Sequence, residues 1–115
     1  MIATAEDARL LFDKWLENQS QVRVRMIRGA LLFDADGIVL NHGKHAVQFG
    51  GPAWKMTVPL VNAEYTFSDP REISQPAVRR MEEVRYELGL SLRWPNGEEL
   101  VLMERKEAAE AEVEE

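Results

Sequence analysis

The chain has 115 residues, of which 45% are hydrophobic and 30% charged, and its formal net charge is −6. These proportions predict one ordinary globular domain and exclude a fibrous or disordered chain. Cysteine is absent, which excludes disulfides, thiolate metal sites and cysteine nucleophiles. Apolar runs are short and acids follow the N-terminal Met1-Ile2. We therefore expect no membrane contact, no signal peptide and a cytoplasmic location.

The negative charge is unevenly distributed along the chain. Residues 107–115 carry five glutamates and no base, and we interpret them as an acidic tail that follows a single domain over residues 1–106. Residues 20–63 instead carry five basic residues against two acidic ones. The low overall pI is therefore compatible with a local basic surface.

Residues 4–18 are predicted to form an amphipathic helix. Thr4 is the expected N-cap, and Glu6 and Asp7 lie favourably near the positive end of the helix dipole. One apolar stripe recurs at helical spacing: Ala8, Leu11, Phe12, Trp15 and Leu16. Leu10 lies nearly opposite this stripe and is expected to be exposed.

The next segment alternates with the two-residue period of a β-strand. One face is apolar, with Val22, Val24 and Met26, and the other carries Arg23 and Arg25. Beyond Gly29 the large apolar residues Leu31 and Phe33 fall at the opposite parity, which predicts a bulge or sharp bend at Gly29. Asp34-Ala35-Asp36-Gly37 is predicted to be a turn.

Further short strands are predicted over residues 38–40 and 46–49, with a turn at His42-Gly43-Lys44 between them. Residues 54–60 and 61–67 then alternate at opposite parities, and the change falls beside Pro59, which suits an edge strand or a bulge. Residues 71–83 are ambiguous, and a short helix from Ser74 through Met81 is one interpretation.

The clearest strand spans residues 84–94, where every even position is apolar or aromatic. Pro95-Asn96-Gly97-Glu98 then predicts a hairpin with Asn96-Gly97 as its two-residue loop. This loop places four residues on the inner face: Leu90, Leu92, Val101 and Met103. It leaves Leu100 and Leu102 on the outer face.

Together these elements predict an α+β domain, with an N-terminal amphipathic helix followed by about five bent antiparallel strands. Bends at Gly29 and beside Pro59 would let a short sheet curl until it loses its exposed edges. We therefore expect a small, barrel-like sheet.

Residues 22–40 resemble the Sm-like small β-barrels, the family that includes bacterial Hfq. The similarity lies in Val22-x-Val24 and then Gly29-Ala30-Leu31-Leu32-Phe33-Asp34 through Val39-Leu40, which is similar to the family's Gly-x-Leu, aromatic-Asp and apolar run. The rest of the chain matches only in element order. The resemblance implies a bent barrel, ring assembly through edge strands and contact with RNA.

Several positions depart from the family pattern. The spacing from Gly29 to Phe33-Asp34 is one residue short, and Asp36-Gly37 stands where many members have Asn. The signatures of the fourth strand, Arg-Gly or Tyr-Lys-His, are absent. The family's RNA-contacting residues are therefore not transferred to this chain.

The basic residues are the principal candidates for binding. Arg23, Arg25 and Arg28 would form a basic stripe, which Lys44, His45 and Lys55 would extend. Binding of phosphate, RNA or an acidic partner is the functional interpretation. The alternative is a solvated strand face whose charges pair with acids of the same chain.

His42 and His45 form a His-x-x-His pattern around a turn. Positions i and i+3 of a strand point to opposite faces, and a catalytic zinc site needs three protein ligands. We therefore expect no metal site and no cofactor. Asp34 and Asp36 lack the later ligands of a calcium loop.

No Ser-His-Asp, Cys-His, P-loop or dinucleotide-binding pattern occurs in the sequence, so we expect a protein that is not an enzyme. The first hypothesis is a self-associating binding or assembly module, Sm-like and with weak RNA contact. The second is a protein-interaction or structural protein, and the third is a small enzyme or ligand-binding barrel that uses His42 or His45. A homo-oligomer is expected because sheet edges invite pairing, and because Leu10, Leu100 and Leu102 have no predicted place in the core.

Overall fold

The computed structural model describes residues 2–68, 75–77, 80 and 86–105. The elements whose bounds fall within these residues are one helix and eight strands: β1 (Ile2–Ala3), α1 (Ala5–Asn18), β2 (Val22–Arg28), β3 (Leu31–His42), β4 (Ala46–Gly51), β5 (Trp54–Pro59), β6 (Glu64–Ser68), β7 (Tyr86–Arg93) and β8 (Glu99–Arg105). The strands pair in the order β1-β6-β7-β8-β2-β3-β4-β5, and every pairing is antiparallel.

The α+β class and the antiparallel sheet are confirmed, but the barrel-like closure is wrong. Strands β1 and β5 lie at the two ends of the strand order, and no pairing joins them within the described residues. The strand number is also higher than the predicted five. Both expected bends are chain reversals between separate strands, so the sheet gains strands and does not curl onto itself.

Helix α1 begins and faces the sheet as predicted. Thr4 caps it through a capping box, in which Thr4 Oγ1 accepts from the Asp7 N–H and Asp7 Oδ2 accepts from the Thr4 N–H, both at 3.1 Å. Phe12 and Trp15 are fully buried, and the Trp15 indole N–H donates to Glu104 Oε1 at 2.9 Å. Leu10 is 64% exposed.

The inner face of the sheet, which α1 covers mainly at β3, carries the core. It is formed by fully buried apolar side chains: Val22, Val24, Phe49, Leu90, Leu92, Leu100 and Leu102. Burying side chains of this size stabilises a fold by about 1.5–3 kcal/mol each. The predicted core positions Leu90 and Leu92 are confirmed, whereas Leu88 is only partly buried.

Gly29 lies at a complete reversal of the chain between β2 and β3. Arg28 pairs with Leu31, which leaves Gly29 and Ala30 as the loop, and Gly29 has a φ of +59°. This left-handed conformation is readily available only to glycine. The parity change across Gly29 therefore marks the tip of a hairpin.

The turn predicted at residues 34–37 is wrong, because these residues lie in the middle of β3. Asp34 pairs with Arg25 across the strands, and Asp36 with Arg23. Facing charges of opposite sign stabilise a strand pair. This cross-strand pairing outweighs the low strand propensity of aspartate and glycine.

The parity change beside Pro59 also marks a reversal. Strand β5 ends at Pro59, residues 60–63 turn, and β6 begins at Glu64. The Ala63 N–H donates to the Leu60 carbonyl at 3.3 Å, and Asn62 adopts a φ of 64°. The edge position expected for Pro59 is confirmed, because β5 ends the strand order.

The β7–β8 hairpin is confirmed, but its predicted register is wrong by one residue. The Gly97 N–H donates to the Trp94 carbonyl and the Trp94 N–H to the Glu98 carbonyl, both at 3.0 Å. Only Gly97 has a positive φ in this loop, which identifies a type I turn followed by a glycine bulge, with Pro95 at the turn position that proline favours.

This three-residue loop pairs Leu92 with Leu100 and Leu90 with Leu102. Leu100 and Leu102 therefore point into the core, and the argument that they drive self-association from the outer face is wrong. The short helix considered within residues 71–83 and the acidic tail at 107–115 fall largely or wholly outside the described residues.

Candidate functional site

The predicted basic stripe on β2 is neutralised by acids of β3. Arg23 forms a two-pronged bond with Asp34, with Nε–Oδ1 at 2.7 Å and Nη2–Oδ2 at 3.1 Å, and Arg25 Nη2 lies 3.5 Å from Asp34 Oδ2. Asp36 Oδ2 lies 3.4 Å from Arg23 and 2.9 Å from Arg105. These ion pairs offset the charges of Arg23 and Arg25, although Arg25 Nε and Asp36 Oδ1 are buried without a hydrogen-bond partner in the described part of the chain.

The electrostatics of this cluster follow from the geometry. The hydrogen bond from Arg23, reinforced by its charge, holds the pKa of Asp34 below its usual range. The same bond raises the pKa of Arg23, so this guanidinium stays charged. The sequence also allowed a strand face whose charges pair with acids of the same chain. Arg23 and Arg25 are arranged in this way.

Arg28 is also paired, although it is the most exposed of the three arginines. Its Nε lies 2.6 Å from Glu98 Oε2, which connects the tip of the β2–β3 hairpin to the loop of the β7–β8 hairpin. The pair is largely exposed and adds little to stability. All three predicted arginines are therefore held by carboxylates.

His42 is placed by the end of β3 against helix α1. Its Nε2 lies 2.6 Å from Asp13 Oδ1, its ring packs 6.0 Å from that of Phe12, and its side chain is only 11% exposed. Its Nδ1 is buried without a hydrogen-bond partner in the described part of the chain. Sequence reasoning missed Asp13, since nothing in the pattern links two residues on separate elements.

Lys44 and His45 form the exposed turn between β3 and β4. With His42 they line an open cleft of about 390 Å³, whose other lining residues are Asn41, Gly43, Ala46, Val47, Gln48 and Thr57. No carboxylate is among these lining residues. The structure thus brings three of the predicted binding residues together, in a polar cleft separate from the arginines.

Lys55 belongs to a second, more apolar cleft of about 450 Å³. Trp54 forms one wall, with its ring 5.0 Å from that of Phe33, and its indole lies against Gly37 and Gly51. A Cβ added to Gly37 would approach Trp54 Cζ2 to 2.6 Å. These glycines are therefore required to seat the tryptophan, which the sequence pattern did not reveal.

Strand β5 lies beside both clefts, and its outer edge is free in the sense that no other described strand pairs with it. The Leu60 N–H donates to the His45 carbonyl, and hydrogen bonding alternates along an antiparallel pair. In the β4–β5 register, the main chains of Trp54, Met56 and Val58 therefore bond to β4. Those of Lys55, Thr57 and Pro59 point away from the sheet, and all three residues are exposed.

Two searches for other kinds of site are negative within the described residues. No group of three or more His, Asp or Glu side chains there could hold a metal ion. No helix in that part of the chain is long and apolar enough to cross a membrane.

Comparison with protein-family models, with curated proteins and with solved structures returns no match. The relationship to the Sm-like barrels therefore stays a prediction.

Proposed function

We propose that this chain is a non-catalytic, self-associating binding or assembly module whose association surface is the free edge of β5. The observation that carries the proposal is that the main-chain groups of Lys55 and Thr57, on the last strand of an open sheet, have no pairing partner among the described strands. Unpaired strand edges pair readily with other strands. Protective devices are few here: Pro59 removes one donor, and Lys55 supplies one charge.

A pair of substitutions at Thr57 provides the test. Thr57→Pro removes an edge N–H and places a proline ring in any new strand pairing, yet it leaves the β4–β5 hydrogen bonds intact because Thr57 faces away from β4. Thr57→Ala keeps the edge N–H. Both variants lose the hydrogen bond from Gln48 Nε2 to Thr57 Oγ1, so Thr57→Ala is the matched control.

Sedimentation at micromolar to millimolar concentration measures the outcome. We expect the unmodified chain and Thr57→Ala to associate and Thr57→Pro to remain near the monomer mass of 13.2 kDa. A monomeric unmodified chain across this range would contradict self-association. Equal association of Thr57→Pro and Thr57→Ala would place the contact elsewhere on the molecule.

Contact with RNA is the weaker part of this proposal. Phosphate binding by arginine requires charges that are free to leave their partners, and Arg23, Arg25 and Arg28 are all paired with carboxylates. We expect single-stranded RNA to bind weakly at low salt and not at moderate salt. Binding that persists at moderate salt would support the Sm-like hypothesis over this one.

A second candidate function is the binding of a small oxyanion in the cleft that Lys44, His45 and His42 line. The observation that favours it is the absence of any carboxylate among the lining residues, in a chain with a net charge of −6. The Lys44 ammonium and the histidine ring N–H groups, beside the amide and hydroxyl groups of Asn41 and Thr57, suit phosphate or carboxylate oxygens.

Backbone amide NMR with inorganic phosphate tests this candidate against sodium chloride at matched ionic strength. We expect phosphate-specific shifts centred on residues 43–46, weakened by Lys44→Gln and unchanged by Lys55→Gln in the other cleft. Equal shifts with phosphate and chloride would contradict it.

A further inference from the structure

We infer that the partner at the β5 edge is a second copy of the same strand, paired antiparallel about a two-fold axis at Met56. This inference rests on the proposed function and specifies its interface. It follows from the symmetry of the free edge. Lys55 and Thr57 carry the unpaired N–H and C=O groups, and they lie one residue to either side of Met56.

Two-fold pairing at Met56 sets Lys55 of one copy opposite Thr57 of the other. Each such pair exchanges two main-chain hydrogen bonds in an antiparallel ladder. The two symmetric pairs give four bonds and use every free donor and acceptor of Lys55 and Thr57. A self-complementary edge of this kind forms the isologous contact typical of homodimers.

Charge disfavours the register in which the two-fold axis moves one residue towards the β4–β5 turn, to Lys55. An axis at Lys55 would place this residue directly opposite its own copy, and like charges facing one another destabilise a strand pair. The axis at Met56 instead sets the lysine against a neutral hydroxyl. Lys55 has no ion-pair partner within the described residues, so none of them offsets that repulsion.

Proline disfavours the register in which the two-fold axis moves one residue towards the C-terminal end of β5, to Thr57. An axis at Thr57 would bring Pro59 into the ladder opposite Lys55, where it offers no N–H, and its ring would enter the interstrand space. With the axis at Met56, Pro59 lies beyond the paired residues. The edge is thus limited to the segment that is symmetric about Met56.

The inner face of the strand fits the same arrangement. Trp54 and Met56 are only partly buried although both pack against the core, whereas Val58 is fully buried. Two-fold pairing sets Trp54 beside Val58 of the second copy and Met56 beside Met56. The apolar face of the sheet then continues across the dimer, and the exposed parts of the Trp54 and Met56 side chains are covered.

Single-cysteine substitution tests the register directly, because the chain has no cysteine of its own. With the axis at Met56, the two copies of residue 56 form a non-hydrogen-bonded pair with Cα atoms about 4.5 Å apart, within the range that a disulfide requires. Met56→Cys should therefore form a covalent dimer under mild oxidation. Lys55→Cys and Thr57→Cys should not, because their copies are displaced by two residues.

A double variant guards against a folding defect at the half-buried position 56. Lys55→Cys with Thr57→Cys places two thiols on the exposed face and opposite one another across the two-fold axis, so this variant should cross-link where each single variant does not. Circular dichroism confirms the fold, and non-reducing electrophoresis measures the covalent dimer.

Cross-linking by Lys55→Cys alone or by Thr57→Cys alone would overturn the register in favour of one of its neighbours. If the chain associates in sedimentation but no cysteine variant forms a cross-link, the contact at β5 is overturned. Self-association itself would still hold in that case. A monomer in sedimentation would remove both proposals. These three results are distinct, so a failure of the register is not confused with a failure of self-association.

Discussion

Strands β2 and β5 carry similar side-chain patterns but hold opposite positions in the sheet. Residues 22–26 of β2 and 54–58 of β5 alternate apolar residues on the inner face with polar or basic residues on the outer face. Strand β2 lies between β8 and β3, and its Arg23 and Arg25 bond to Asp34 and Asp36. Among the described strands, β5 pairs only with β4. Alternation therefore determines which face of a strand is buried, and the neighbouring strands determine whether its polar groups are satisfied.

The largest expected difference between the two regions is in packing. Leu102 lies opposite Val24 of β2 and is fully buried, so Leu102→Ala should lower the free energy of unfolding by about 2–5 kcal/mol. Met56→Ala on half-buried β5 should cost less than half as much. Urea unfolding at low protein concentration measures both. Equal losses would show that β5 is packed as tightly as the centre of the sheet.

A smaller difference is expected for the basic residues of the two strands. Arg23→Ala removes the paired bond to Asp34 and should cost about 1–2 kcal/mol, because hydrogen bonds to charged groups exceed neutral ones in strength. Lys55→Ala removes an unpaired charge and should change stability by less than about 0.5 kcal/mol. Thermal unfolding compares the two variants. A larger loss of stability for Lys55→Ala than for Arg23→Ala would contradict the assignment of Arg23 to an ion pair and of Lys55 to none.

The smallest expected effect is the pH dependence of the Arg23–Asp34 pair. Arg23 holds the pKa of Asp34 below its usual range. The stability that this pair contributes is therefore fully present above the ordinary carboxyl pKa of about 4. It is lost as the pH falls through the lower folded value. The stability difference between the unmodified chain and Arg23→Ala should therefore narrow between pH 6 and pH 2. A stability difference that stays constant between pH 6 and pH 2 would contradict the inference that Arg23 lowers the pKa of Asp34.

The periodic parts of the fold were predictable from the sequence. Helix α1 is marked by an N-cap and an apolar stripe of five residues, and each signal is local to the segment. The inner faces of β2 and β7 follow from strict alternation around Val24 and Leu90. The edge position of Pro59 follows from its missing N–H.

Other features depend on contacts that a local pattern does not contain. Asp34 and Asp36 match a turn by composition, and only their arginine partners on β2 place them in a strand. Asn96-Gly97 matches a two-residue loop, but the preceding Pro95 selects a type I turn and shifts the register by one residue. That single shift moves Leu100 and Leu102 from the surface into the core.

The candidate site was predictable in composition but not in grouping. The sequence predicts one continuous stripe of Arg23, Arg25 and Arg28 that Lys44, His45 and Lys55 extend, and it considers His42 separately, in the His-x-x-His pattern with His45. In the structure these residues fall into separate groups, because they contact partners that are distant in sequence. Carboxylates pair with the three arginines, Asp13 contacts His42, and Lys55 lies in a separate cleft. The orientation of β5's free main-chain groups depends on its register with β4, which the sequence did not supply.

Amide hydrogen exchange, followed by NMR at two protein concentrations, tests the central claim most directly. In the dilute monomer the amides of Lys55 and Thr57 should exchange rapidly, whereas those of Met56, Val58 and the β2 residue Arg25 should be protected by the sheet. At high concentration we expect Lys55 and Thr57 to become protected and the other three to change little. Rapid exchange of Lys55 and Thr57 at both concentrations, in a sample that sedimentation shows to be associated, would contradict the role of β5.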